Sequence, residues 1–155
     1  MSLFINGFKD SKNVKEFKDL DSAAQELLLA AIKARENAYC PYSKFPVGAA
    51  ILTENNEVFT GCNIENGAYT AGLCAERTAA AKAISEGQIK FKAIAVVALQ
   101  ENGFTTPCGV CRQFISEFAL NGDVPIYLAK PTNPPLRVFC TSIYQLLPES
   151  FSFAK

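Results

Sequence analysis

Histidine is absent from all 155 residues, and no other property of the chain narrows its chemistry as far. The absence removes Ser-His-Asp and Cys-His catalysis together, along with every imidazole-ligated metal site. A metal here must be held by sulfur or oxygen, and clustered thiolates select zinc or iron–sulfur. Long apolar runs are also missing: although 49% of the residues are hydrophobic, none of the runs approaches the roughly 20 residues needed to span a bilayer. Nor is there net charge to draw a polyanion, since 15 Lys and Arg balance 15 Asp and Glu. A nucleic-acid binder shows a basic face; Lys9, Lys12, Lys15 and Lys18 recur at three-residue spacing, but they read as a solvated face. The N-terminal stretch lacks the apolar middle and small-residue cleavage site of a secretory signal, and Asp10, Glu16 and Asp19 make it too acidic for a transit peptide. A cytoplasmic location is the expectation, with neither membrane nor nucleic acid as partner.

What is present fits one domain with a sizeable core. Residues 1–21 are a candidate for a mobile N-terminal extension, and residues 22–155 for a single catalytic domain. Ser22-Ala23-Ala24-Gln25 has the form of a capping box and predicts a helix running to Ala38, stopped by Pro41 and Pro46. Val47–Thr53 and Glu57–Cys62 are β-rich runs separated by Glu54-Asn55-Asn56, which predicts a hairpin. Asn63–Leu73 reads as a loop, and Ala-rich Cys74–Glu86 as a helix stopped at Gly87. Ala93–Leu99 has the fully apolar character of a strand buried on both faces. A second helix is expected over Cys108–Leu120, closed by Asn121-Gly122. Strands follow at Val124–Ala129 and Arg137–Thr141, then a short helix at Ile143–Leu147. The order α-β-β-α-β-α-β-β-α implies an α/β domain whose one sheet, of five strands, carries helices on its faces.

Six cysteines without a secretory signal point to metal or thiol chemistry rather than a disulfide framework. Three of them stand out: Cys74 in Cys74-Ala75-Glu76-Arg77, and Cys108 and Cys111 in Pro107-Cys108-Gly109-Val110-Cys111. Both groups fall at predicted helix starts, where unpaired N–H groups and the helix dipole stabilise thiolates. A structural zinc takes four protein ligands, whereas a catalytic one takes three and leaves a position for water. Three thiolates on Zn²⁺ sum to one net negative charge. That excess weakens the metal as a Lewis acid, and Arg77, one turn into the first helix, is placed to hydrogen-bond the sulfurs. Glu76, two residues beyond a ligand, is placed to take a proton from water and hand it to a leaving nitrogen, given a pKa tuned towards neutrality. Other readings stand beside this one. Cys-x-x-Cys alone fits a redox dithiol, and Cys40, Cys62 or Cys140 would close a structural site as fourth ligand, although packed apolar thiols are their simpler role.

Cys-x-Glu followed by Pro-Cys-x-x-Cys is the signature shared by zinc-dependent deaminases, and the sequence resembles the tetrameric, small-nucleoside cytidine deaminases well beyond it. The resemblance runs from Tyr39-Cys40-Pro41-Tyr42-Ser43-Lys44-Phe45-Pro46-Val47-Gly48, through Gly61-Cys62-Asn63-Ile64-Glu65-Asn66 and the two cysteine motifs with Arg112-Gln113, to Leu146-Leu147-Pro148-Glu149-Ser150-Phe151. It implies a three-layer α/β/α sandwich around a mixed five-stranded sheet, with one Zn²⁺ per subunit on Cys74, Cys108 and Cys111. It implies attack of zinc-generated hydroxide on C4 of cytidine or deoxycytidine, with Glu76 shuttling protons, in pyrimidine salvage. It places Asn63 and Glu65 on the sugar 3′-hydroxyl, Phe45 on the pyrimidine and the Ala75 backbone on the base carbonyl. Gly67 and Tyr69 would come from a neighbouring subunit, and Phe151 from another, in a homotetramer with shared sites. Gly67 departs from the family's usual Ala.

By residue chemistry alone Asn63 and Glu65 either point into a pocket or cap a turn, and Phe45 is either platform or core. Polynucleotide deaminases, which typically use His-x-Glu and a basic channel, fit poorly. A blasticidin-type deaminase shares the zinc motif without an expected Asn-Ile-Glu-Asn. A zinc-stabilised or redox-active binding module without turnover is the alternative from another class.

Overall fold

The computed structural model describes residues 12–119 and 122–153. In chain order its elements are β1 (Val14–Glu16), α1 (Ser22–Arg35), β2 (Val47–Thr53), β3 (Val58–Cys62), α2 (Ala75–Ser85), β4 (Phe91–Ala98), α3 (Gly109–Ser116), β5 (Pro125–Ala129), β6 (Arg137–Ser142) and α4 (Ile143–Leu146). The strands make one sheet in the order β1-β6-β5-β4-β2-β3, with β4 and β5 parallel and the remaining pairs antiparallel.

Side-chain alternation divides the core into two layers. On β2, Ala49 and Ile51 face one cluster while Ala50 and Leu52 face the other. On β4, Ile94 and Val96 part in the same way from Ala93, Ala95 and Val97. The first cluster takes Ala75, Ala79, Ala80 and Ala83 of α2 with Cys111 and Ile115 of α3; the second takes Leu27, Leu28, Ala31 and Ile32 of α1. The α/β/α sandwich follows from that division. Two glycines set how closely the layers meet. A Cβ at Gly48 would collide with backbone atoms of Ala31 and Arg35 in α1, and one at Gly61 with backbone atoms of Ala75 and Ala79 in α2. Small residues on α2 and a missing side chain on β3 thus seat that helix directly on the sheet.

The strand count corrects the five-stranded expectation. β1 pairs with β6 through Val14↔Phe139, Lys15↔Val138 and Glu16↔Arg137, so the sheet has six strands. Phe17 and Leu20 pack against the α1-side cluster. Three residues with one apolar member carry no period in the sequence, and the exposed edge of β6 selects them as a strand. Residues 1–11 of the expected extension lie outside the described residues.

Smaller differences concern helix ends. Asp21, not Ser22, is the N-cap of α1, accepting from Ala24 N at 2.8 Å. Gln25 instead reaches back to Phe17 O and Leu20 O at 3.1 and 3.0 Å. α1 ends at Arg35 rather than Ala38, and α3 at Ser116, with Glu117 and Phe118 in a turn. The expected end of α3 at Leu120-Asn121 lies outside the described residues. The Asn63–Leu73 loop folds back on itself through Ile64–Leu73 hydrogen bonds at 2.9 Å in both directions.

Candidate metal centre and active site

Cys74 is the N-cap of α2 and Cys108 the N-cap of α3, and neither side chain makes a capping hydrogen bond. Both sulfurs are therefore left for another partner. Cys111, on the first turn of α3, is wholly buried. The sulfurs of Cys74, Cys108 and Cys111 lie within 4.8 Å of one another, and Cys74 Sγ is 3.8 Å from Cys108 Sγ. Zn–S bonds of about 2.3 Å in a tetrahedron place sulfurs about 3.8 Å apart, so the thiol set fits zinc in chemistry and in span. Among the described residues no further Cys, Asp or Glu joins that cluster. Cys40, Cys62 and Cys140 are free and half-buried elsewhere.

The three thiols do not share one acidity. The Cys74 thiol is held down to about 5, first by the hydrogen bond from Cys111 and then by those from Arg77 and Cys108, against the effect of burial. The Cys111 thiol is pushed up by the same bond to Cys74, by desolvation and by the nearby Glu76 charge. Of these two, Cys74 carries the first thiolate, and a cation would displace the proton from Cys111. Arg77 Nη2 donates to Cys74 Sγ at 3.8 Å and to Gly72 O at 3.3 Å, as its place on the helix predicts.

Glu76 is 4% exposed, beneath the tip of α2. Burial raises its carboxyl from 4.5 to about 7; the Cys74 charge adds to this, while hydrogen bonds from its own backbone N–H and from Cys111 oppose it. An acid that exchanges its proton near neutrality beside a thiolate cluster has the properties expected of a general acid–base.

A cavity of about 860 Å³ opens above these groups, ample for a small organic molecule. Cys74, Ala75, Glu76 and Cys108 border it, with Arg77 and Val96 beside them. Phe45, Asn63, Glu65 and Tyr69 form the facing wall. The two polar residues of this wall also brace it. Asn63 Nδ2 donates to Phe45 O at 2.9 Å and its Oδ1 accepts from Val47 N at 2.8 Å. Glu65 Oε2 accepts from Tyr42 N and Ser43 N at 3.0 and 3.2 Å. The hydrogen bond from the Ser43 side chain, with these backbone bonds and the Lys44 charge, keeps the Glu65 carboxyl below its usual range. Both readings of the pair hold: they face a cavity and they tie down a turn.

Gly67 and Phe151 are not brought to this chain's own cavity. Gly67 lies behind Tyr42, where an added Cβ would stand 3.3 Å from the phenol oxygen. Phe151 is held on the flank of α3, its N–H donating to Gln113 Oε1 at 3.0 Å and its carbonyl accepting from Gln113 Nε2 at 2.8 Å. Tyr42, Thr105 and Thr106 border the cavity without having been singled out in the sequence. They sit in irregular segments between elements, where no periodicity marks a side chain as inward-facing.

A fourth protein donor would make this a closed structural centre. With three sulfurs and a buried acid of near-neutral pKa opening on a cavity, the site is catalytic, of the class of zinc-dependent hydrolases that remove amino groups. Residues 21–127 match the family model described as the cytidine and deoxycytidylate deaminase zinc-binding region. The chain is 53% identical over 128 residues to a cytidine deaminase of Sporosarcina psychrophila, spanning 83% of this chain and 90% of that one. It is 46% identical over 123 residues to a probable cytidine deaminase of Dictyostelium discoideum, covering 79% and 80% of the two chains. The crystal structure of cytidine deaminase from Burkholderia pseudomallei shares the fold with a TM-score of 0.74 at 43% identity, over 81% of this chain and 97% of that one. The chain belongs to the cytidine and deoxycytidylate deaminase family. It is a zinc-dependent aminohydrolase, and Cys74, Cys108 and Cys111 are the cluster able to hold the metal. Among the described residues no helix is long and apolar enough to cross a membrane.

Proposed function

We propose that the protein hydrolyses cytidine and deoxycytidine to uridine and deoxyuridine with release of ammonia, as a cytoplasmic enzyme of pyrimidine salvage. The observation that carries this reading is Glu76: a carboxyl 4% exposed, raised to about 7, bordering a cavity of about 860 Å³ beside three thiols. Zinc held by Cys74, Cys108 and Cys111 supplies a Lewis acid that makes water a nucleophile near neutral pH. Glu76 as carboxylate accepts a proton from water as the C4–O bond forms, and returns it to the base. Glu76 then takes the remaining proton of the added hydroxyl and passes it to the amino nitrogen, so that ammonia leaves as the C4–N bond breaks and the C4 carbonyl forms, and Glu76 ends as the carboxylate it began as. Arg77 offsets the excess thiolate charge at Cys74.

The wall supplies recognition. Phe45 offers an aromatic face to the pyrimidine, and the Ala75 backbone at the α2 tip offers an N–H to the base carbonyl. Asn63 and Glu65 keep hydrogen-bonding capacity beyond their bracing contacts, Asn63 through a second N–H and lone pair and Glu65 through Oε1, which suits a hydroxyl that both donates and accepts. This pair favours a sugar-bearing substrate over a blasticidin-type one. Tyr69 at 85% exposure and Phe151 at 66% are large apolar groups left uncovered by their own chain. With Gly67, Phe151 is assigned to neighbouring subunits' sites in a homotetramer with one zinc per subunit, whereas Tyr69, which borders its own chain's cavity, has an exposed ring for a neighbour to cover.

The deciding experiment compares the wild type with Glu76→Gln by loss of cytidine ultraviolet absorbance, with zinc measured on the same samples. The expected result is loss of turnover with one zinc per chain retained. A non-catalytic zinc or redox module predicts no uridine from either protein. Sedimentation of the zinc-loaded protein tests the tetramer separately.

A further inference from the structure

Arg112 follows the last cysteine of the metal cluster and has no part in the chemistry above, yet each of its three guanidinium nitrogens donates a hydrogen bond. Nε donates to Pro107 O at 2.7 Å, Nη2 to Thr106 Oγ1 at 3.1 Å and Nη1 to Leu146 O at 3.0 Å. Two of the acceptors lie on the segment that immediately precedes Cys108, and the third ends α4. The backbone N–H of Arg112 also closes the first turn of α3 on Cys108 O at 2.9 Å. Arg112 therefore grips Cys108 from both sides, through the carbonyl before it and through its own.

The three cysteines differ in what holds them. Cys111 is buried within a helix and packed in the core, and Cys74 receives Arg77 on its sulfur. Cys108 is exposed at an N-cap, at the end of an irregular segment outside any strand or helix. A planar fork with several fixed N–H directions can fix such a segment, whereas a lysine brings a single charge on a flexible stem. We infer that Arg112 is a positioning residue for the metal. It holds Cys108 where its sulfur comes within bonding range of the same cation as Cys74, and it ties that placement to α4 and the C-terminal segment. Arg77 tunes sulfur charge, whereas Arg112 sets sulfur position. The inference rests on zinc at the three sulfurs and is independent of which nucleoside is deaminated.

The test uses the full-length, zinc-loaded protein. Zinc transfer to a chromogenic chelator is timed for wild type, Arg112→Ala and Arg112→Lys. Ile32→Val, which thins the α1 side of the sheet, serves as a stability control. Each protein is assayed at the same interval below its own unfolding midpoint, so general loosening cancels. Groups that orient metal ligands are worth roughly 10–100-fold in metal affinity; zinc loss from Arg112→Ala is expected to be faster by that order. Arg112→Lys should also lose zinc faster than wild type, and Ile32→Val should not. In cobalt-loaded samples the sulfur-to-metal charge-transfer band should weaken or shift in both Arg112 variants only. Wild-type release rates in both variants, or rates equal to the control, overturn the inference. If Arg112→Ala does not fold, Arg112→Lys is judged by the same criteria. Full retention by the lysine variant shows that charge suffices and that the fork is not needed.

Discussion

At the helix tips that make the cavity floor and metal cluster, Glu76 is 4% exposed and Cys111 wholly buried, whereas on the wall Tyr69 is 85% exposed and Tyr42 56%. The floor is made of two helix tips seated on the sheet, one of them by the close approach of α2 to Gly61. The wall is made of turns held by side chains, Asn63 to Phe45 and Val47, Glu65 to Tyr42 and Ser43. Burial is what the floor needs. Desolvation holds Glu76 near neutrality. The wall has to open to solvent and fit a polar molecule, so it relies on hydrogen bonds with capacity to spare. The proposed chemistry thus falls to the buried part and the proposed recognition to the more exposed part.

This division is tested most strongly at Glu76. Glu76→Gln should lower kcat by about 10²–10⁴-fold, the usual range for loss of a general acid–base, with zinc content unchanged. A residual rate near that of wild type would dissolve the distinction between floor and wall. The same substitution should stabilise the zinc-free protein. With the carboxyl raised from 4.5 to about 7, the folded chain binds the proton more tightly than the unfolded one. Its cost to stability is therefore absent below pH 4.5, grows as pH rises through that interval, and is complete above 7. Urea unfolding at pH 8 should show a gain of about 3 kcal/mol for Glu76→Gln, from 1.36 kcal/mol per pKa unit, shrinking towards nothing near pH 4.5.

Next in size is Gly61→Ala, which drives a Cβ into the α2 backbone. Overpacking of this kind costs about 1–3 kcal/mol, and the displaced tip should lower kcat as well as the unfolding midpoint. Asn63→Ala sharpens the contrast from the wall side. It removes two bracing bonds and, on the proposed reading, a partner of the sugar hydroxyl, so KM should rise about tenfold, or about 1.4 kcal/mol, with kcat falling less. A kcat loss as large as that of Glu76→Gln would place Asn63 with the floor. Smallest is Lys44→Gly. Lys44 holds φ 55° beside Phe45, a left-handed conformation that glycine adopts freely. A gain of up to about 1 kcal/mol is expected in thermal unfolding, with little change in KM.

Much of the floor was legible before any coordinates. Cys74 and Cys108 follow loop residues and precede Ala-rich or amphipathic runs, so helix starts were readable, and the spacing to Cys111 placed it on the same turn. The hairpin of β2 and β3 and the apolar β4 were readable for the same reason: period and composition are local. β1 was not, because a three-residue edge strand with one apolar side chain has no period to show. Asp21 displaced Ser22 as the cap of α1 because neighbouring cap formers differ only in the backbone angle each adopts. Tyr42, Thr105 and Thr106 were missed because a side chain in an irregular segment faces inward or outward according to what packs against the segment.

The amino-acid sequence by itself settled the chemistry available to this protein. Without histidine, and with three cysteines and a glutamate at helix starts, the metal and its ligands are constrained by residue type and short-range spacing, which do not wait for folding. Only the tertiary structure decided that the thiols converge, that Glu76 is dry enough to hold a proton near neutral pH, and which polar groups brace the site. Those outcomes depend on partners far along the chain: Cys74 and Cys108 are 34 residues apart, Glu65 and Tyr42 are 23, Arg112 and Leu146 are 34, and Gln113 and Phe151 are 38. Desolvation and hydrogen-bond pairing arise when such segments pack, and no local pattern encodes them.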